Sequence, residues 1–381
     1  MGSKVVGRGA LTVTPPPPNA TIAVTGEPEV VFDWTTDRCD EVDIPDAPAR
    51  VFRDSQGRLQ LIASHHMARR MIGTDLDDMA RDCRVVLPSH RNPRPQAFDD
   101  NEFLMAPYTL DGQTIHALVH MEYHGQDHGR AQCPSGSNGA CWYDAITLAK
   151  SGDGGATYVH AAPPSHVVAA PPWEYRPDNS GFGYFGLSNI VRNADDGFYY
   201  AMIALVMPFA YTGGGVCLIR TPTLDRPDTW RFWNGTTFAG RFVNPYVDPV
   251  RALDSRCKGI FPFAAWTLSW NTYLGRWLVI GDSTRTGTEG AFFLSMSSDL
   301  VHWSAPQPFL KTEIGGTYEC GDTGPTAYAS FIDPSSPARN FDVTGKRGWL
   351  YYTQFNPPNC RDPGTYDRDL VRIPIELAIE P

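Results

Sequence analysis

Asp46 and Glu122 are the carboxylates whose settings best suit proton transfer. Asp46 lies between Ile44-Pro45 and Ala47-Pro48, and two prolines with fixed φ would hold it stiffly. Glu122 lies between Met121 and Tyr123, where a partly apolar pocket would raise its pKa. One ionised and one protonated carboxyl group facing each other can act as base and acid on a single bond. These settings make Asp46 the candidate base and Glu122 the candidate acid. Asp322 is expected to act with them, and it or Glu319 would hold a substrate hydroxyl or tune the pair. His65, His66 and His124 are neighbours suited to hydrogen bonding and proton transfer.

These residues are far apart in sequence, so the elements between them must bring them together. Polar turns recur along the chain: Thr74-Asp75-Leu76, Ser151 to Tyr158, Thr221 to Asp225 and Ser297 to Trp303. In each, an Asp can accept backbone N–H groups, and an aromatic or apolar residue beyond it can be buried. A turn that returns once per sheet marks a repeat architecture. Between the turns lie five hairpins, beginning near residues 49, 103, 184, 263 and 326. The fifth lacks an outer strand, which the segment Val30 to Trp34 can supply.

The prediction is an all-β chain: a five-bladed β-propeller closed by an N-terminal strand, with no exposed edges. Residues 1–27, which include Pro15 to Pro18, are expected to be a disordered or processed tail, and residues 28–381 one domain. In such a fold, the starts of first strands and the ends of second strands share one face. That filter collects Asp46, Asp100, Lys258, Glu319 and Asp322 before first strands. After second strands it collects His65, His66, Glu122, Tyr123, His124, Asp282, Arg285 and Gln354. Asn189 and Trp173 complete the expected substrate ligands, Trp173 as a stacking platform. His120, His124 and His128 would diverge, because a strand gives way to a loop between them.

Composition narrows the partners. A net charge of −10 with no block of Lys or Arg argues against nucleic acid, and no apolar run could span a bilayer. Ten Trp and sixteen Tyr suit sheets and sugar-facing clefts. Eight cysteines without a Cys-x-x-Cys pair favour disulfides and a secreted or periplasmic protein, with Cys133 and Cys141 closing a short loop. Met1-Gly-Ser-Lys4 reads as a processed or vector-derived start. No cofactor is required. A structural or funnel-bound divalent metal such as calcium is an option, as is a metal held by some of His65, His66 and His124 with Glu122.

The Ser-x-Asp-Leu-x-x-Trp turn at 297–303 and the Leu350-Tyr-Tyr-Thr353 strand resemble those of the five-bladed propeller glycosidases, such as arabinanases, arabinofuranosidases and β-xylosidases. Ser151 to Tyr158 looks like the Asp-box of sialidases. The resemblance implies an Asp base opening the first blade, matched by Asp46, and a second-blade Asp that tunes the acid, matched by Asp100. The family's acid comes from the third blade, where Tyr184 to Val191 has no carboxylate, so Glu122 takes that role. The expected activity is glycoside hydrolysis of a poly- or oligosaccharide. Two alternatives are a polysaccharide lyase using Tyr123 and a histidine, and a sugar-binding propeller without catalysis.

Overall fold

Alternating β-branched and aromatic residues drive this chain into short antiparallel strands. The computed structural model describes residues 20–178, 182–206, 215–248, 255–282, 290–312, 325–357 and 366–379, and in them the fold is all-β. Asp322, Glu319, Arg285, Cys320 and Cys360 lie outside the described residues.

Two strands come first, β1 (Ala20–Val24) and β2 (Glu29–Phe32). The first meander follows as β3 (Arg50–Arg53), β4 (Leu59–Ile62), β5 (Met67–Gly73) and β6 (Ala80–Pro88), paired in that order. The second has β7 (Asn101–Thr109), β8 (Ile115–His124) and β9 (Trp142–Ser151), with β10 (Val159–His160) and β11 (Val167–Ala169) on the outer edge. The third has β12 (Phe182–Leu187), β13 (Val191–Arg192), β14 (Tyr199–Val206), β15 (Gly215–Thr221) and β16 (Arg231–Phe232). Here β12 and β13 both pair with β14, and β12 also runs parallel to β9, which joins the second and third sheets. The fourth has β17 (Ala264–Asn271), β18 (Arg276–Asp282), β19 (Ala291–Ser297) and β20 (Gln307–Lys311). The fifth has β21 (Thr326–Ile332), β23 (Arg347–Phe355) and β24 (Arg368–Ile379); between its first two strands, β22 (Val343–Thr344) pairs with β17.

Both N-terminal strands add to β24, Glu29 opposite Arg372 and Ala20 opposite Ile379. Two sequence expectations change here. Residues 20–24, assigned by composition to the tail, form a strand because Ala20 and Ile22 alternate into the core. The strand expected over 30–34 stops at Phe32, because the Asp33 carboxylate accepts the Thr35 N–H and starts a helical turn, Trp34–Asp37.

Apolar clusters fill the spaces between successive sheets. Phe52, Leu104 and Val119 join the first and second, and Phe103, Tyr184 and Ile203 the second and third. Tyr200, Leu268 and Val279 join the third and fourth, and Leu278, Phe331 and Leu350 the fourth and fifth. Val51, Leu61, Ile332 and Tyr351 place the fifth sheet against the first.

All five first strands meet at one buried side chain. Arg50 donates from Nε to the carbonyl oxygen of Met105 (3.1 Å) and from Nη2 to those of Leu187 (3.0 Å) and Trp266 (2.7 Å). Its Nη1 reaches the Ala49 carbonyl (3.2 Å) and the Ser330 hydroxyl (3.0 Å). Burial pushes its pKa down to about 9, which leaves it cationic at neutral pH.

Two of the four polar turns, at 151–158 and 297–303, have the expected form; at 221–225 Asp225 accepts the Thr223 hydroxyl, and at 74–76 the backbone N–H groups go to Asp78. Asp299 Oδ1 accepts the N–H groups of Val301 and His302, and Asp153 Oδ1 accepts those of Ala156 and Thr157. Disulfides link Cys39 to Cys83, Cys133 to Cys141 and Cys217 to Cys257.

Candidate functional site

The segment before β3 carries Asp46, and several ties hold it. Besides the Cys39–Cys83 disulfide, the buried Asp43 carboxylate accepts the Cys39 N–H (3.0 Å) and pairs with Arg81. Thr353, on β23, donates its hydroxyl to the Pro45 carbonyl at 2.8 Å. Asp46 is thus presented to two donors and a neighbouring imidazole. Arg368 pairs with its Oδ1, the Tyr328 hydroxyl donates to the same oxygen at 3.1 Å, and His65 Nε2 lies 3.6 Å from Oδ2. Such a set suits an anion.

Tyr328 reaches Asp46 through an unusual backbone. It sits at φ +63° inside β21, where the register slips between Ala327 and Ser330. A non-glycine residue there costs about 1–2 kcal/mol, and the bulge redirects the ring. Burial, then the negative charge of Asp46, raises the phenol pKa well above its ordinary value, so Tyr328 stays a donor. Its ring meets Trp266 edge-on, with centroids 5.3 Å apart.

Trp266 in turn donates its indole N–H to Asp282 at 2.6 Å, at the end of β18. Asp282 is buried, and burial raises its pKa to about 7 against the opposing bonds from Trp266 and the Tyr328 backbone. This has a measurable consequence. A folded pKa above the ordinary 3.8 means the protonated carboxyl contributes stability below about pH 4, which is lost as pH rises through 7. Asp282→Asn is expected to gain on the wild type between pH 4 and 8, by on the order of 4 kcal/mol. Urea unfolding across that range reads the difference, and a gap that does not vary with pH would contradict it.

The third group comes from β8, where alternation puts His120, Glu122 and His124 on one face. His120 Nδ1 lies 3.4 Å from Glu122 Oε1, and His124 Nε2 lies 2.9 Å from Oε2. The expected divergence of these histidines fails because β8 runs on to His124. His128 does turn away: it bonds Asp100 Oδ2 at 2.9 Å and stacks on Tyr123. Glu122 is therefore set between two imidazoles rather than in the apolar pocket anticipated from Met121 and Tyr123. Burial works against the charged form of His124, yet the Glu122 hydrogen bond and charge leave its pKa raised. Burial lowers the pKa of His120, and it raises that of Asp144, whose carboxylate is 3.9 Å from His120 Nε2, well above the ordinary value.

His65 and His66 complete this end of the sheets. Their rings are 4.0 Å apart, and both lie edge-on to Phe103. Burial lowers both pKa values; for His66, burial together with the charges of His65, Arg91 and His124 brings it to about 3. At neutral pH both are neutral donors or acceptors beside Asp46.

The remaining predicted residues serve elsewhere. Asp100 is buried and accepts the His124 N–H at 2.9 Å, which positions the end of β8. Tyr123 points to the opposite face from Glu122; it is buried, and its hydroxyl donates to the Pro93 carbonyl at 3.0 Å. Asn189 exchanges two amide bonds with the Leu268 backbone, tying the third sheet to the fourth. Trp173 is half-buried against two core clusters, and its carbonyl accepts the Tyr143 hydroxyl. Lys258 is exposed on a loop, with its N–H bonded to the Trp233 carbonyl. Gln354 lies near the end of β23 and donates to the Phe355 carbonyl at 3.3 Å. Tyr328, Arg368, Trp266 and Asp144 were not singled out from the sequence.

No family model matches this chain, and no curated protein matches it. A protein of unknown function from Dyadobacter fermentans is similar in structure, with a TM-score of 0.54 at 11% identity; the match covers 94% of this chain and 99% of that one. An endo-arabinase from Bacteroides thetaiotaomicron has a TM-score of 0.49 at 10% identity, over 91% of this chain and 97% of its own. An α-L-arabinofuranosidase from Lactobacillus brevis has 0.48 at 10% identity, over 87% and 91%. The first is a likeness of fold alone, and the two below 0.5 lend no weight to an activity.

Proposed function

We propose that this chain is a five-bladed β-propeller, closed by its N-terminal strands, that hydrolyses glycosidic bonds in a poly- or oligosaccharide. The convergence of five first strands on Arg50, and the cluster between the fifth and first sheets, support the ring. The observation that carries the chemistry is the pairing of Asp46 with Arg368, Tyr328 and His65, at the same end of the sheets as the Glu122–His124 pair.

Asp46 would take a proton from the attacking water as it adds to the anomeric carbon. The Glu122–His124 pair would deliver a proton to the departing oxygen. His65 and His66 would bond sugar hydroxyls. Asp322 as a further catalytic carboxylate, with Glu319 and Arg285 as ligands, belongs to the same reading. It requires no cofactor. The disulfides among the described residues fit secretion or a periplasmic location.

One observation favours a second reading. Neutral His65, Tyr328 and Arg368 gather around one point, as β-elimination from a uronic acid would need; Tyr123, the expected partner, faces the core instead. A polysaccharide panel followed by both reducing-end release and ultraviolet absorbance separates the two. Hydrolysis releases reducing ends without an unsaturated chromophore. Absorbance rising in step with them would replace the hydrolase with a lyase, and binding without either signal would leave a sugar-binding propeller.

A further inference from the structure

Outside that site, four donor side chains from three segments converge near the start of β7. His90 follows β6, Asp99 precedes β7, Glu102 is the second residue of β7, and His160 ends β10. His90 Nδ1 lies 2.8 Å from both Asp99 Oδ1 and Glu102 Oε2. His160 Nε2 lies 3.2 Å from Asp99 Oδ1 and 3.5 Å from Glu102 Oε1. The two ring nitrogens face each other at 3.3 Å.

This is awkward as a set of ion pairs and natural as a ligand set. Two imidazole N–H groups aimed at each other repel, whereas two lone pairs aimed at one cation do not. Glu102 is fully buried, and its Oε1 has no hydrogen-bond partner although it points into the cluster. A buried carboxylate oxygen without a hydrogen-bond donor is destabilising unless a cation meets it. His160 Nδ1 donates to the Ala161 carbonyl at 2.7 Å, which orients the ring with Nε2 facing the two carboxylates. His166 stacks on that ring at 4.4 Å and is itself held by the Phe98 carbonyl. The imidazole–carboxylate separations of 2.8–3.5 Å lie around the edge of a tetrahedron with zinc-length bonds, about 3.3 Å, and one donor atom from each residue lies within 4.8 Å of all the others.

We propose that His90, Asp99, Glu102 and His160 bind one first-row divalent transition ion of the zinc type. Two carboxylates balance its charge, and two imidazoles select against calcium, which takes oxygen ligands. This site is separate from the histidines around Asp46: Glu102 lies on the face of β7 opposite Phe103. The ion would still steady the reaction site at second hand. Asp100, between two ligands, holds the His124 N–H, while the Glu102 N–H donates to Ser89 Oγ, which donates to the His66 carbonyl.

Titration calorimetry of chelator-stripped full-length protein with Zn²⁺ and with Ca²⁺, together with thermal unfolding, tests this. One equivalent of Zn²⁺ should bind and raise the unfolding midpoint, with no matching effect of Ca²⁺. His90→Ala removes a half-exposed ligand and should fold normally yet bind Zn²⁺ at least about tenfold more weakly. His65→Ala should bind as the wild type does. Zn²⁺ binding unchanged in His90→Ala, loss in His65→Ala, preference for Ca²⁺, or no saturable binding would each overturn the assignment. None of these results depends on the chain having glycosidase activity.

Discussion

Asp46→Asn is expected to lower kcat by about 10³-fold or more on every substrate while the protein stays folded. The amide keeps the shape of the side chain and can still accept from Tyr328 and Arg368, but it cannot take a proton from water. Glu122→Gln should differ in kind. It removes the carboxyl group that bonds His124 and would supply the proton, so its loss should be large on natural glycosides and small on aryl glycosides whose leaving group departs unprotonated. Steady-state kinetics on one natural and one activated substrate, with circular dichroism as the check on folding, separate the two roles. Retention of a tenth or more of wild-type kcat in Asp46→Asn would remove it as the base. Equal losses on both substrates would remove Glu122 as the acid.

The second large effect is on stability. Arg50→Met is expected to unfold the protein or lower its melting temperature by more than any surface substitution. The change strands the carbonyls of Met105, Leu187 and Trp266 and the hydroxyl of Ser330 without a donor. Each buried acceptor left unsatisfied costs about 1–3 kcal/mol, and the sum rivals the whole stability of a typical domain, about 5–15 kcal/mol. Arg53→Met is the comparison, because that residue is partly exposed on the same strand and bonds the Ala338 carbonyl. Calorimetry of both variants decides the matter: similar melting temperatures would show that the guanidinium is replaceable.

The parts of this molecule that depend on local pattern were legible in the sequence. The Asp turns, the hairpin starts and the alternation along β8 are short-range features, and they brought Asp46, His65, His66, Glu122 and His124 to one end of the sheets. The missing parts are long-range. Arg368 and Tyr328 reach Asp46 across 322 and 282 positions, and a tyrosine in a strand reads as core until a register slip turns it. Tyr123 shows the opposite error: adjacency to Glu122 suggested a shared pocket, but neighbours on a strand face opposite ways. Asp282 passed the geometric filter, yet nothing local marked the burial that raises its pKa. The strand at 20–24 was hidden by the proline-rich composition just before it.

Strand β1 lies against the far end of β24, pairing with Ile375 to Ile379, whereas Arg368 stands at the other end of the same strand. The pairing of β1 with β24 can therefore breathe without disturbing Asp46. An added edge strand of alternating burial opens at low free-energy cost compared with interior strands. Amide hydrogen exchange should reach residues 20–24 well before β23 or the Arg368 end of β24. Slow exchange throughout would make this pairing as rigid as the rest of the sheet.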